Sequence, residues 1–289
     1  IQHRLETGEA VLGVVVPSDY VQRLREGRAK VQVIADGSDA NTARLALGYA
    51  TAVGAMQNGR AAAELASLSG KGASAMPVSL EMRAWYNLDM SSVNVTVPGI
   101  IVIVMVVIAA MLTSVTVARE WELGTMEQLI GTPIRVPELV LGKVIPYYVI
   151  GLTDVVIAVA LGQYLFHVPL RGNPAWLFFT ATIFLTGALF FGLTLSINLK
   201  TQVLANQSAI MASYLPTLLL SGFAFTIANM PLPIQCITYL IPGRYFIEIL
   251  RDIYLKGVGF EVIWFNTLLL SLYAAFMVIM AQKKMKLKL

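Results

Sequence analysis

Arg119, Glu120, Glu122 and Glu127 fall close together in the run Arg119-Glu-Trp-Glu-Leu-Gly-Thr-Met-Glu-Gln-Leu-Ile-Gly-Thr-Pro133. Clustered acids suit either acid–base catalysis or charge-directed docking. Catalysis needs a positioned partner. The chain has only two histidines, His3 and His167, and no Ser/His/Asp constellation or acid pair that suggests hydrolysis. A single cysteine, Cys236, excludes an internal disulfide framework and a multi-cysteine metal site. A nucleotide phosphate would need a Gly-x-x-x-x-Gly-Lys-Ser/Thr cradle. The nearest string, Ser69-Gly-Lys-Gly72, lacks the first glycine and the hydroxyl residue and reads as a flexible link. That leaves the cluster an interfacial or a docking role. A second acid, Asp154, stands alone in an apolar run, where an ionisable group is a candidate for ion coupling.

These residues sit in a chain built for a bilayer. It has 289 residues, of which 57% are hydrophobic and 13% charged, and a mean hydropathy of +0.70. Soluble domains are nearer a quarter charged, and a soluble protein this apolar would expose aggregating patches. Before residue 97 lie nine basic and nine acidic residues; beyond it come long uncharged runs. Five segments reach the roughly 20 apolar residues that a helix needs to cross a bilayer. They are Pro98–Ala118, Val144–Leu165, Trp176–Asn198, Ser208–Ala228 and Val262–Ala281, and Asp154 is the one Asp, Glu, Lys, Arg or His among them.

Basic residues in short loops orient such a chain. One set of loops holds eight, Arg119, Arg135, Lys143, Lys200, Lys283, Lys284, Lys286 and Lys288; the other holds four, Arg171, Arg244, Arg251 and Lys256. The first set, with the C-terminus, is expected in the cytoplasm, which leaves residues 1–97 outside. There Val11–Val16, Lys30–Ala35 and Leu80–Tyr86 read as strands, and Ser18–Arg25 and Asn41 to about Leu68 as helices, a small and incomplete α/β domain. An external domain needs a span before it. A sixth helix upstream is therefore expected, with the chain beginning downstream of its natural N-terminus.

The charged cluster itself has helical spacing. Leu123, Met126 and Ile130 fall at i, i+3 and i+7 with Leu129 alongside, while Glu120, Glu127 and Gln128 project elsewhere. The predicted amphipathic helix, 119–132, ends at Gly131-Thr-Pro133. It cannot enter the bilayer, because each charge would cost about 3 kcal/mol at the centre. Helices that adhere to anionic lipid favour Lys and Arg, so the acidic face points to a cytoplasmic protein partner. Residues 229–259 are a second irregular region. Pro231, Pro233 and Pro242 interrupt its helical runs. Arg244, Glu248 and Arg251 are spaced to pair along one side, with Phe246, Ile249, Leu250 and Ile253 on the other. A re-entrant hairpin acting as an external gate is expected there.

The run Arg119–Pro133, followed by Glu138-Leu-Val-Leu-Gly-Lys143, closely resembles the cytoplasmic signature of ABC-2 type transporter permeases, above all bacterial multidrug-export permeases. Val15-Val-Pro-Ser-Asp-Tyr20 and Gln32–Ala43 resemble that family's external domain, and Arg83–Asn87 with Val97-Pro-Gly99 its junction with the second helix. Pro242-Gly-Arg-Tyr-Phe246 and Arg251–Gly257 resemble its late external segment. The resemblance implies an α-helical integral membrane protein of the bacterial inner membrane, with six spans at full length. It also implies that the cluster is a coupling helix docking into a separate cytoplasmic ATPase subunit. That subunit binds ATP and magnesium, so this chain is not itself an enzyme.

Arg119, Glu120, Glu122, Leu123, Gly124, Thr125, Met126, Glu127, Gln128, Thr132 and Pro133 are the expected coupling residues; Pro242, Arg244, Tyr245, Glu248 and Arg251 the expected gate. Methionine and aromatic side chains adapt to varied apolar shapes. Met105, Met111, Asp154, Met211, Tyr214, Leu218 and Phe223 are accordingly the candidates for a path taking hydrophobic or amphiphilic drugs. Lipid or polysaccharide export and an ion-gradient transporter using Asp154 are the alternatives. A second permease subunit and the bilayer are expected partners, a periplasmic adaptor is a further one, and nucleic acid is not.

Overall fold

The computed structural model describes residues 4–5, 10–25, 29–37, 40–69, 78–86 and 91–288. The chain divides into two compact units, Ile1–Val95 and Thr96–Leu289. The first holds β1 (Leu12–Val15), α1 (Tyr20–Arg25), β2 (Ala29–Asp36), α2 (Ala40–Ser69) and β3 (Val78–Trp85). β2 is central, antiparallel to β1 with Val14 opposite Val33, and parallel to β3 with Val33 opposite Met82. The sheet packs on α2 through Val33, Ala35, Ala43 and Leu47. Gly54 lies against the side chain of Leu80. The expected link at Ser69–Ser74 falls, after Ser69, outside the described residues.

The second unit is helical. It contains most of α3 (Ser92–Ser114), then α4 (Thr116–Leu123), α5 (Thr125–Ile130), α6 (Val136–Tyr164), α7 (Pro174–Leu199) and α8 (Gln202–Leu220). These are followed by α9 (Leu232–Thr238), α10 (Pro242–Arg251) and α11 (Phe260–Lys288). Among the described residues, five helical stretches have the length and composition to cross a membrane: Ser92–Leu123, Val136–Tyr164, Pro174–Leu199, Gln202–Leu220 and Phe260–Met285. This is a multi-pass membrane protein.

α7 is its hub. Within the most apolar window of each helix, 67% of α7 is buried against 22% of α6, α8 and α11, so the latter three turn broad apolar faces outward. Small residues set the close contacts. A Cβ on Gly151 would come within 2.6 Å of Leu185, and one on Gly187 within 3.0 Å of Tyr273. Aromatic stacks add to them, Phe184 on Phe246 at 4.3 Å and Trp176 on Phe260 at 4.7 Å between centroids.

The span limits differ from the sequence reading. The fourth lies at 202–220 where 208–228 was expected. It starts after the extended Thr201, and the uncharged polar Gln202, Asn206 and Gln207 are helical, which hydropathy discounts; Ser221 and Gly222 (φ 82°) end it early. The second begins at Val136, with Pro137 in its first turn, where proline is tolerated. The first continues through a break at Val115 to Leu123.

Candidate functional site

The charged segment is two short helices rather than the single expected one. Gly124 adopts φ 74°, its N–H donating to the Trp121 carbonyl at 3.3 Å, and α5 restarts beyond it. Glycine takes this left-handed conformation without a Cβ clash. The break rotates Leu123 and Met126 apart. Met126 is fully buried and Leu123 is 62% exposed, so they do not share the apolar face that an unbroken wheel assigns them.

α4 is anchored from several sides. Its first turn has free N–H groups, as every helix does, and Ser196 of α7 supplies the acceptor. The Ser196 hydroxyl accepts from the Val117 and Ala118 N–H groups at 3.0 and 2.9 Å, in a buried setting. Leaving two such donors without an acceptor would cost about 1–3 kcal/mol each. At the other end of α4, Glu122 accepts from the Gln202 N–H at 3.0 Å, a carboxylate at the positive end of α8. The Lys200 ammonium sits 4.2 Å from the centre of the Trp121 ring.

Glu120 forms an ion pair with Lys143 of α6, the two side chains only 24% and 14% exposed. One Glu120 oxygen and the Trp121 indole N–H are buried without a partner among the described residues. Thr132 donates to the Leu129 carbonyl at 2.6 Å, and Glu138 accepts the Arg135 N–H at 3.1 Å to start α6. Glu120 and Glu122 are thus committed inside the chain. Arg119, Leu123, Gly124, Thr125, Glu127, Gln128, Thr132 and Pro133 present an open surface.

The same end of the unit carries Lys284, which donates to Asn198 at 3.1 Å. The opposite end is built by α10 and the π turn Asp252–Lys256. There the Arg171 and Gly172 N–H groups donate to the Tyr254 and Ile253 carbonyls at 3.2 and 2.9 Å. Burial pushes the Tyr254 phenol up to about 12, so it stays neutral.

Pro242 opens α10 in its first turn. Arg244 donates to the Thr238 hydroxyl, lies 4.1 Å over the Tyr239 ring and comes within 4.0 Å of Glu248. Tyr245 donates to the Tyr239 carbonyl at 2.7 Å. Burial raises its pKa, Arg244 opposes that, and Glu248 and Tyr239 add to it. Glu248 accepts from Asn266 at 3.0 Å, and Arg251 donates to the Gly222 carbonyl at 3.2 Å. Phe246, Ile249, Leu250 and Ile253 are buried. α10 is therefore packed into the bundle by its apolar side and pinned by its polar one.

The seven candidate path residues do not converge. Met105 is buried in α3; Met111, Leu218 and Phe223 are half-buried, Phe223 lying on Gly99; Met211 and Tyr214 are exposed on α8. Asp154 is half-buried on α6, with no hydrogen-bond or ion-pair partner among the described residues. A cavity of about 160 Å³ lies between α3, α7, α8, α11 and the α9–α10 junction, lined by Val106, Phe191, Ser213, Pro216, Thr217 and Pro242 among others. None of the seven lines it. An open recess of about 350 Å³ beside the charged segment is lined by Val115, Gln202, Val203, Asn206, Gln207 and Ile210. Sequence reasoning missed this recess and Ser196, because neither carries a local signal.

A bundle of apolar helices thus carries the charged segment, fastened on one side and open on the other. The description "ABC-2 family transporter protein" fits residues 1–283, and the chain belongs to that family. It is 37% identical over 257 residues to the probable multidrug ABC transporter permease YbhS of Escherichia coli (strain K12), spanning 88% of this chain and 67% of that protein. It is 31% identical over 270 residues to the probable multidrug ABC transporter permease YbhR of the same organism, spanning 91% and 70%. A more distant relative, ABC transporter G family member 20 of Dictyostelium discoideum, is 26% identical over 200 residues, 68% of this chain and 27% of that protein. No solved structure matches.

Proposed function

We propose that this chain is the membrane subunit of an ATP-binding cassette exporter in a bacterial inner membrane. It forms the path for hydrophobic or amphiphilic drugs and is driven by a separate cytoplasmic ATPase that docks on α4 and α5. ATP and magnesium bind to that subunit. Two permease subunits complete the assembly, with the α/β unit outside the cytoplasm, where it is available to an adaptor, and the C-terminus inside. The observation that carries this reading is the two-sidedness of the charged segment. One side is fastened to α6, α7 and α8 through Glu120, Ser196 and Glu122. The other presents Leu123, Thr125, Glu127 and Gln128 to whatever lies beyond. A push on the open side passes straight into three spans. The names of YbhS and YbhR favour a drug as cargo over lipid or polysaccharide.

Asp154 supports a second reading, an ion-gradient transporter, because an intramembrane acid with no partner among the described residues is suited to bind a cation. Inverted vesicles separate the two. With ionophores collapsing all ion gradients, uptake of ethidium, a lipophilic cationic dye, is expected to persist and to require ATP. Uptake that needs only a gradient and vanishes in D154N would favour the second reading.

A further inference from the structure

The cavity between α3, α7, α8, α11 and the α9–α10 junction is not wholly apolar. Ser213 and Thr217 of α8, 4% and 2% exposed, and Tyr273 of α11 bring hydroxyls to it. Elsewhere in these helices Thr180, Thr194, Thr267 and Ser271 satisfy their hydroxyls by donating to the carbonyl four residues back, at 2.7–2.9 Å. Thr217 makes no such bond. Neither its hydroxyl nor that of Tyr273 has a hydrogen-bond partner among the described residues, and Ser213 reaches the Ile210 carbonyl only at 3.5 Å. Pro216, in the same wall, brings no N–H to the Ala212 carbonyl. Two glycines fix the hydroxyl-bearing side chains in place. A Cβ on Gly243 would come within 2.6 Å of the Thr217 methyl group, and one on Gly187 within 3.0 Å of the Tyr273 ring. A buried hydroxyl held this way and left without a partner is costly, and a polar atom placed in the cavity removes that cost.

We propose that this cavity binds a small uncharged amphiphile, a phenol or a similarly compact ring bearing one hydroxyl, whose oxygen is met by the hydroxyls of the wall, Thr217 foremost. The lack of charge follows from the wall, which holds no acid or base among the described residues; an ionised ligand would be buried without a counter-charge. The size follows from the volume of about 160 Å³, close to the apolar cavity of about 150 Å³ that encloses benzene. The rest of the wall is mostly carbon, from Val106, Phe191, Pro216, Leu240 and Met277. Water filling such a space would be poorly satisfied, since a buried water takes about three hydrogen bonds. A ring instead gains contacts with Phe191 and the Met277 thioether. Bound there, the ligand lies between α8 and α11 beside Pro242, the first residue of α10, and braces the three helices against one another. The site is independent of what drives transport.

The test uses the full-length permease in lipid nanodiscs, irradiated with para-azidophenol, with the adducts mapped by mass spectrometry. Adducts are expected on residues 212–217 and 273–277. Unlabelled phenol should suppress them about tenfold more effectively than benzene, which leaves the hydroxyls of the wall unpaired. Thr217→Val keeps the shape of the side chain and removes its hydroxyl; it is expected to weaken suppression by phenol about fivefold and to leave suppression by benzene unchanged. The benzene measurement thus reports whether the cavity survives the change. Should T217V lose that response too, Y273F, for which the same pattern is expected, decides in its place. Equal competition by phenol and benzene, or parental suppression by phenol in a variant that keeps its benzene response, would overturn the site. Adducts confined to the outward faces of α6, α8 and α11, or no suppression by phenol, as for a cavity holding water only, would overturn it as well.

Discussion

Replacing Leu123 by glutamate is expected to strip the ATPase from the purified permease while leaving the permease folded. Leu123 stands 62% exposed at the end of α4, directly before the left-handed turn at Gly124. A leucine in that position gains by burial in a partner's groove, and a carboxylate placed there must be desolvated instead. The combined loss is about 3 kcal/mol, roughly a hundredfold in affinity. Fold stability should move by no more than about 0.5 kcal/mol, as for other exposed positions away from special contacts. The measurements are the amount of ATPase copurified per permease and the thermal stability of the permease in detergent. Met126→Glu supplies the contrast: with Met126 fully buried, that change should unfold the segment, and both readouts should fall together. Equal copurification by L123E and the parent would place the docking surface elsewhere.

Gly192→Val is expected to abolish the folded bundle. α3 and α7 cross at this glycine, where a Cβ would come within 2.9 Å of the Ala110 Cα and closer still to the Ala110 carbonyl and the Thr113 hydroxyl. Two of those atoms are backbone and cannot swing aside as a side chain could. The helices must separate, which breaks the buried hydrogen bond from Thr113 to the Leu189 carbonyl at 2.8 Å. Overpacking costs about 1–3 kcal/mol and the lost bond about 1 kcal/mol more. The movement also pulls Ser196, one turn further along α7, away from the start of α4. Monodisperse elution after detergent extraction should be lost. Gly142→Ala, where a Cβ meets nothing within 4 Å, should elute normally and gain up to about 1 kcal/mol from helix propensity. Normal elution of G192V would mean that the crossing is looser than these distances require.

Much of this was legible in the residues, and the remainder was hidden for identifiable reasons. Charge-free runs announce spans because a bilayer tolerates little else, and five helices long and apolar enough to cross are present among the described residues. Their ends were harder, because Gln202, Asn206 and Gln207 are helical while scoring as polar. Gly124 carried a helix-stop signal that the periodicity of its neighbours concealed; a wheel drawn through it put Leu123 and Met126 on one face. Glu122 and Ser196 acquire their roles from residues about 80 positions away, and no local pattern reveals such pairings. The path candidates scattered because composition identifies adaptable side chains without saying which way a helix turns them.

The central claim is that an ATP-consuming subunit grips the open side of α4 and α5. A photoreactive amino acid placed at Gln128, exposed on α5, tests it in intact native membranes by identification of whatever it captures. The account predicts one dominant adduct, a cytoplasmic ATP-binding subunit, which is lost when L123E is introduced. Capture of lipid alone by a folded permease would contradict it.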